Sequence, residues 1–509
     1  MGIAAGVFRL VAGRLLSRFE KAAADPAGSQ RLVLRDLVRR AAPTQWGRQV
    51  RLADLVTPDE FRQRVPVTPY ESAAALWHRA FDGACDVTWP GHVRFFAMSS
   101  GTTAGTKLIP VTREAIRANR RSGALLAAML ARRGSPENLV SGKFLYLGGC
   151  TALQARGRSL AGDASGIMGR HIPLAARRRR LPEAKIAEIA DWQERIDRIV
   201  HLYLAADVRA MGACPSWAAL VFKQMLQEAE ARGLGRKSAG ELWPRFSHFV
   251  SYGMAMEPYL PAFEQYVGRP VHYVDTYSSS EAGLTAIQEE PGGPLRMIVD
   301  NGVYFEFVPA ARAGDPSPPR LGFGEVEEGR DYALVLSTCG GIWAYPLGDL
   351  VRFVSVRPPR IVFAGRTQVM LSAFGEHVAM EMIDSAVAAA CRRTAALVAD
   401  YTVAPRFPSP DHPRPAHRWI IEFDRPPADA GAFMAAIDSS LRAASEDYDA
   451  HRAHDYGLEP PILVPVAPRT FYSWMKQKGK LGGQNKVPRV ARSPEMAEEL
   501  LGISRTPAR

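Results

Sequence analysis

The first ninety residues repeat apolar positions at helical spacing. In "SQRLVLRDLVRRAA", Leu32, Leu34, Leu37 and Val38 share a side with arginines opposite, which predicts an amphipathic helix. "TPDEFRQRVP" predicts another, opened by a Thr cap and stopped at Pro66. The stretch "MGIAAGVFRLVAGRLLSRFEKA" is apolar but interrupted by Arg9, Arg14 and Arg18. It is too short for a membrane span and no cleavage site follows, so an amphipathic helix packed on its own domain is expected. Gly6 stands where a myristoylation signal needs Ser or Thr.

Further on, short apolar runs alternate with helical stretches. "HVRFFAMSSG", "KFLYLGG", "FSHFVSYGM" and "VHYVDTYSSSEAG" each read as a strand running into a loop, with helices such as "SWAALVFKQMLQEAEARG" between them. This predicts an α/β fold with a mostly parallel sheet covered on both faces. From residue 302, "GVYFEFVP", "YALVLSTCGGIWAYPLGD", "RFVSV" and "RIVFAGR" predict a smaller antiparallel unit, a distorted β-barrel. A hinge is expected near 365–372. Past it, "VAMEMIDSAVAAACRR", "HRWIIEFDR", "AGAFMAAIDSSLRAASEDY" and "PILVPV" alternate helix and strand in a small α+β unit. The expected domains are 1–365 and 366–509.

Charge adds a constraint. Sixty-four Lys and Arg against 52 Asp and Glu give +12, which suits a polyanionic ligand. Nucleic acid is not expected, because no recognisable module or interleaved aromatics accompany the basic residues. The run Arg177 to Arg180 reads as a solvated loop or helix end. Five scattered cysteines without a C-x-x-C pair suggest neither a zinc site nor a disulfide framework, and fit a reducing cytosol. Ser473 and Lys476 have nucleophile-pair spacing, but the accompanying motifs are missing. His451 and His454 lack a third ligand and read as surface residues.

The chemistry concentrates in four segments. "SSGTTAGTKLIP" (99–110) does not have P-loop spacing, yet its residue types suit phosphate. Glycines admit backbone N–H groups close to an anion, hydroxyls donate, and Lys107 supplies charge. The alternative for this stretch alone is a polar surface loop. "YSSSEAG" puts Glu281 in a strand-end loop, where a carboxylate is suited to holding Mg²⁺ beside phosphates. Tyr277 is placed to stack on a purine. "YPLGDLVRF" sets Asp349 in a Gly-Asp turn that can accept two ribose hydroxyls; the alternative is a plain hairpin turn. "GRTQVMLSAFGE" puts Arg366 at the hinge, where it is expected within reach of phosphate or ribose as a nucleotide-binding residue.

With these segments in this order, the sequence resembles the acyl-adenylate-forming superfamily and, within it, the Gretchen Hagen 3 family of acyl-acid amido synthetases. "SSGTTAGTKLIP" is close to that family's phosphate motif, "YSSSE" to its nucleotide motif and "YPLGD" to its Y-x-x-G-D motif; "QRLVLRDLVRRAAPTQWGR" and "GQNKVPRV" are also similar to it. The resemblance implies a large N-terminal adenylate-forming domain and a small C-terminal domain that rotates between two steps. It implies that a carboxylic acid attacks the α-phosphate of Mg·ATP, and that an amine, usually an amino acid, then displaces AMP. By motif, Ser99, Ser100, Gly101, Thr102, Thr103 and Lys107 would hold the triphosphate. Tyr277, Ser279 and Ser280 would line the adenine and α-phosphate region. Glu281 would ligate magnesium, Asp349 would bind ribose, and Lys486 would be the mobile cation at the α-phosphate.

Departures from the pattern are His377, where plant members often carry lysine, and Ser278, where a smaller residue is usual. The acyl pocket is expected near the helix "REAIRANRRSGALLAAMLARR" and the loops after "YLGG" and "SYGM", around Tyr252, Met254 and Met256. Arg117, Arg120 and Arg121 are expected to face water. A thiol acceptor, coenzyme A or a carrier protein, is the second enzymatic reading, and a nucleotide-binding protein without turnover is the third. A cytoplasmic monomer is expected.

Overall fold

A computed structural model describes residues 3–100, 106–133, 139, 141–367, 371, 376, 378–407, 412, 414–452, 458–482, 485–491 and 494–505. The chain forms two compact units. The first comprises Met1–Ala213, Trp243–Gly253 and Val271–Phe363; the second comprises Cys214–Leu242, Met254–Pro270 and Ala364–Arg509.

In the first unit the helical signals resolve as the patterns predict, with one correction. Helix Pro58–Arg64 opens at Thr57, whose side chain accepts from Glu60 N–H while Glu60 reaches back to the Thr57 N–H. It ends just before Pro66. Helix Pro26–Ala41 buries Val33, Leu34, Leu37 and Val38, but Leu32 is 58 % exposed. Two residues are roughly 200° of rotation at 3.6 residues per turn, so Leu32 cannot share the face of Leu34. Helix Ile3–Ala24 buries Ala12, Leu16 and Phe19 in a core with Leu125 and Met129 of helix Arg113–Arg133.

Two sheets follow. In the small one, β1 (Phe95–Ser100) pairs antiparallel with β2 (Thr106–Val111) and parallel with β5 (Ser159–Gly162), which carries β4 (Gln154–Arg156). The large sheet has eleven strands. From one edge they are β12 (Val303–Pro309), β13 (Asp331–Thr338), β14 (Ile342–Val356), β15 (Pro359–Arg366), β11 (Leu295–Met297), β10 (Gly283–Gln288), β9 (His272–Ser279), β8 (His248–Tyr252), β7 (Val208–Ala213), β3 (Lys143–Tyr146) and β6 (Arg180–Leu181). β9, β8, β7, β3 and β6 run parallel, as the strand-loop-helix alternation predicts. The antiparallel strands expected as a separate small unit instead continue the same sheet through β10.

That antiparallel half is tightly curled. Asp349 on β14 and Tyr277 on β9 are four strand steps apart, roughly 19 Å across a flat sheet at about 4.8 Å per step. Yet Tyr277 donates its phenol proton to Asp349 Oδ2 at 2.6 Å. Side chains from β10 to β15 meet in one core inside the curl, including Phe305, Phe307, Leu334, Phe353 and Ile361. The rings of Phe307 and Phe353 stand edge to face, 5.0 Å apart. The expected barrel character is therefore curvature of a continuous sheet.

The second unit holds a three-stranded sheet. β16 (Leu397–Arg406) pairs antiparallel with β17 (Ala416–Arg425), which pairs parallel with β18 (Ile462–Val466). Alternation sorts its two faces. Tyr401, Val403, Trp419 and Ile421 pack with helices Met380–Thr394 and Ala430–Ala444. Ala404 and Ile420 pack with helices Thr470–Gln477 and Pro494–Arg505.

One buried polar side chain fixes the second helix to the sheet. Gln30 Nε2 donates to the Val299 and Val303 carbonyls, each at 2.8 Å, and its Oε1 accepts from Phe305 N–H at 2.7 Å. Gln30→Leu is expected to leave three backbone groups without partners and to lower stability by about 2–3 kcal/mol in urea denaturation.

Candidate active site

The loop after β9 is built by backbone constraints. Gly283 has φ +70°, and a Cβ there would lie 2.7 Å from Asn119 Oδ1. Asn119 Oδ1 accepts from Leu284 N–H at 3.0 Å, and Ser279 Oγ from Ala282 N–H at 3.2 Å. Together these hold Ser279, Ser280 and Glu281 at the carboxyl end of β9, the edge where ligands bind in sheets of this kind. Asn119 was not singled out from sequence, since a lone Asn in a helix carries no motif.

Asp349 sits in an irregularity, not a hairpin turn. Ala333 faces Leu350 and Val335 faces Pro346, so β14 carries extra residues against β13. Gly348, at φ +83°, lies within this bulge and lets the strand re-aim Asp349. Asp349 is 5 % exposed and meets Tyr277. The ring of Tyr277 lies 6.2 Å from that of Phe363, tilted by 36°.

Glu281 joins this group electrostatically. Burial pushes its carboxyl above the usual carboxylate range, and the Asp349 charge adds to that. A hydrogen bond from Ser279 and the charge of Lys107 pull the other way. Lys107 faces Ser99 across the β1–β2 ladder, and its ammonium stands 5.1 Å from the centre of the Tyr70 ring. Tyr345 of "YPLGD" is buried nearby; burial pushes its phenol up, and the neighbouring Glu281 pushes it further. Sequence reasoning passed over Tyr70 and Tyr345.

Among the described residues, no group of three or more His, Cys, Asp or Glu could hold a metal ion. Mg²⁺ needs less, because it keeps several waters and binds one or two carboxylates beside phosphate oxygens. Glu281, with Asp349 near enough to perturb it, fits that requirement. Gly101, Thr102 and Thr103, the side chains of Ser99 and Ser100, and His377 lie outside the described residues, as does His454.

Two further expected residues belong to the second unit. Arg366 is exposed at the end of β15. Lys486 is also exposed, after Asn485, whose carbonyl accepts from Trp217 Nε1 at 3.3 Å. Burial raises the Cys214 thiol, and the charge of Lys486 is close enough to oppose that. The segment after Lys486 is pinned to β16: Val403 N–H donates to the Arg489 carbonyl and Ala491 N–H to the Val403 carbonyl, both at 2.8 Å.

Arg489 itself went unnoticed in the sequence. It is 4 % exposed and donates to Asp400 Oδ1 and to the Tyr259 hydroxyl, each at 2.6 Å, and to the Tyr401 carbonyl at 3.0 Å. It also lies 3.9 Å from the centre of the Tyr401 ring. The signal was an arginine between apolar residues in "KVPRV".

Other arginines divide between the expected and the unexpected. Arg117 pairs with Glu114 at 3.3 Å and, with Arg120 and Arg121, is exposed as expected. Arg180 is a correction: it turns inward and donates to the Gly169 carbonyl at 2.6 Å. β6 half-buries the end of a run expected to be solvated.

Residues 15–179 match the GH3 family N-terminal domain, 296–366 the GH3 family central domain, and 381–495 the GH3 family C-terminal domain. Probable indole-3-acetic acid-amido synthetase GH3.12 of Oryza sativa subsp. japonica is 26% identical over 447 residues, covering 70% of this chain and 72% of that protein. Probable indole-3-acetic acid-amido synthetase GH3.1 of the same plant is 24% identical over 565 residues, covering 95% and 90%. The solved structure of AtGH3.15 acyl acid amido synthetase in complex with 2,4-DB matches with a TM-score of 0.78 at 21% identity, covering 97% of this chain and 96% of that one. A 2-hydroxyisobutyryl-CoA ligase in the postadenylation state shares the fold more distantly, with a TM-score of 0.55 at 13% identity over 97% and 91% of the two chains.

Arg489 also pairs with Asp384 at 3.5 Å, so Arg489→Met is expected to strand Asp400 and Asp384 in the protein interior. It should destabilise the protein by about 3–5 kcal/mol in chemical denaturation, the usual cost of breaking a buried charge pair.

Proposed function

The chain belongs to the GH3 family, and we propose that it joins a carboxylic acid to an amino acid through an acyl-adenylate. It is an adenylate-forming ligase with ATP as co-substrate. The observation that carries the reading is the gathering of Lys107, Glu281, Asp349 and Tyr277 in the first unit by a curled sheet. A cation, two carboxylates and an aromatic hydroxyl are the groups a nucleoside triphosphate calls for. The relatives named as amido synthetases favour an amine acceptor over a thiol.

Each residue then has a task. Ser99, Ser100, Gly101, Thr102, Thr103 and Lys107 hold the phosphates with hydroxyls, backbone N–H groups and one ammonium. Ser279 and Ser280 flank the α-phosphate, and Tyr277 borders the adenine. Asp349 accepts ribose hydroxyls, its carboxylate oriented by Tyr277. Glu281 would hold Mg²⁺, which supplies charge neutralisation for the phosphates when bound.

A carboxylate oxygen of the acid attacks the α-phosphorus, and pyrophosphate leaves. Negative charge grows on the phosphoryl oxygens, and Lys486 and Arg366 meet it with positive charge. The amine nitrogen then attacks the acyl carbonyl, loses a proton, and AMP leaves. Water must stay out in the interval, because an acyl-adenylate hydrolyses readily. We assign that closure to residues 366–509 moving against the adenylation domain, residues 1–365, about the end of β15. Gly365, at φ +130°, supports a pivot there.

Among the described residues no helix is long and apolar enough to cross a membrane. We place the enzyme in the cytoplasm as a monomer; the free cysteines support the compartment.

Acid-dependent release of pyrophosphate from Mg·ATP, across aryl and alkyl carboxylic acids, tests the first step. Release with one acid class, accelerated by amino acids, is expected; tight ATP binding with no release from any acid would refute the reading. Lys486→Ala is expected to slow adenylation about 100-fold, the usual cost of losing one transition-state donor. Asp349→Ala is expected to raise the KM for ATP by about tenfold, the equivalent of one or two hydrogen bonds.

A further inference from the structure

Helix Trp192–Tyr203 turns a cation inward. Arg195 is 4 % exposed, on the same face as Trp192, Ile196 and Ile199. Its guanidinium lies 4.8 Å from the centre of the Trp192 ring. No hydrogen bond or ion pair joins it to another described residue. Arg180 lines the same cavity, with Nη1 on the Gly169 carbonyl and a buried Nε that has no partner. Burial pulls the pKa of both guanidinium groups down, as expected of cations held without full compensation.

The two arginines share a cavity with Tyr146, Gly148, Gly149 and Trp192. It has about 10 Å³ of room, enough for one water-sized group. One carboxylate is near: Asp163 accepts from Cys150 N–H at 3.0 Å and packs close against Gly149; burial pushes it toward its neutral form, and that N–H and the charge of Arg195 oppose the push. The balance of charge is positive. A cavity this small admits the tip of a ligand, not its body.

Its place in the fold is informative. Tyr146 ends β3 and Leu147 to Gly149 follow it, on the same sheet edge that carries Glu281 after β9. The two positions are three strand steps apart, roughly 14 Å. Tyr252, at the end of β8, bridges part of the way: its hydroxyl donates to the Leu147 carbonyl at 2.5 Å, and its ring stands 5.8 Å from that of Tyr146.

We propose that this cavity is a carboxylate subsite, in which Arg195 and Arg180 take an oxygen of a carboxylate on one of the two organic substrates. The proposal deepens the amide-synthetase reading and rests on it. The carboxylate has two sources: a second acid group at the far end of the acyl substrate, or the α-carboxylate of the acceptor amino acid. The separation from Glu281 favours the first.

The test has two arms, run on wild type, Arg195→Gln and the charge-retaining Arg195→Lys. The acid arm compares pyrophosphate release with linear α,ω-dicarboxylic acids of six to twelve carbons against monocarboxylic acids of equal length. The amine arm compares AMP release with amino acids against the corresponding amino acid amides. In one arm the wild type should prefer the carboxylate-bearing probe by about tenfold or more in kcat/KM. That ratio should fall to within about twofold in Arg195→Gln and recover in part in Arg195→Lys. No preference in either arm, or one that survives in Arg195→Gln, overturns the subsite and leaves a cavity holding water only. If the wild type releases no pyrophosphate with any acid, the functional reading fails separately. Calorimetric titration with the same diacids then decides the subsite: binding lost in Arg195→Gln upholds it, and binding that is equal or absent in wild type overturns it.

Discussion

The hydrogen bond between Tyr277 and Asp349 is the constraint from which the first unit's chemistry follows. A flat sheet would hold these residues too far apart for any pair of side chains to bridge. The antiparallel strands therefore coil over an aromatic core, and the bulge at Gly348 turns Asp349 into the resulting concavity. Glu281 enters the same space from the tight loop after β9, and Lys107 from the β1–β2 hairpin. The cost of crowding carboxylates appears in Glu281, whose ionised form is disfavoured by burial and by its neighbour. A divalent cation bound beside these carboxylates would reverse that balance.

The second unit solves a different problem. The exposed Lys486 lies on an irregular segment that needs a fixed position. Arg489, three residues further on, gives the segment one. Its guanidinium is buried between Asp400, Tyr259 and the Tyr401 ring, and its carbonyl joins the β16 ladder. Burying an arginine is expensive unless every direction of its charge is met, and here aspartates, a hydroxyl and a ring meet it. Arg195 in the first unit offers the contrast: it is equally buried, but a ring stands where Arg489 has hydrogen bonds, and Asp163 acts on it through charge.

Much of the fold was legible because periodicity and caps are local. Thr57 with Glu60, the parallel strand-loop units and the closing α+β pattern all follow from neighbours in sequence. Leu32 was misplaced because a count of apolar residues replaced the angle between them. The mixed sheet reads as two objects because β10 and β11, which join β9 to the strands after residue 302, carry no clear strand signal. The motif residues of the site were visible as types, but their meeting was not: Gly348 reads as a turn until β13 is set beside it. Arg180, Arg195 and Arg489 were hidden for one reason. Burial of a charge depends on tertiary partners, and no local spacing announces them.

The order of bond making in the first step is open to direct measurement. The carboxylic acid is supplied with both oxygens labelled by ¹⁸O, and the nucleotide products are analysed by mass after turnover with an amino acid. Attack of the carboxylate on the α-phosphorus leaves one acid oxygen on the phosphate when AMP departs, so AMP carrying a single ¹⁸O is predicted. Unlabelled AMP, or ADP formed together with labelled inorganic phosphate, would contradict an acyl-adenylate.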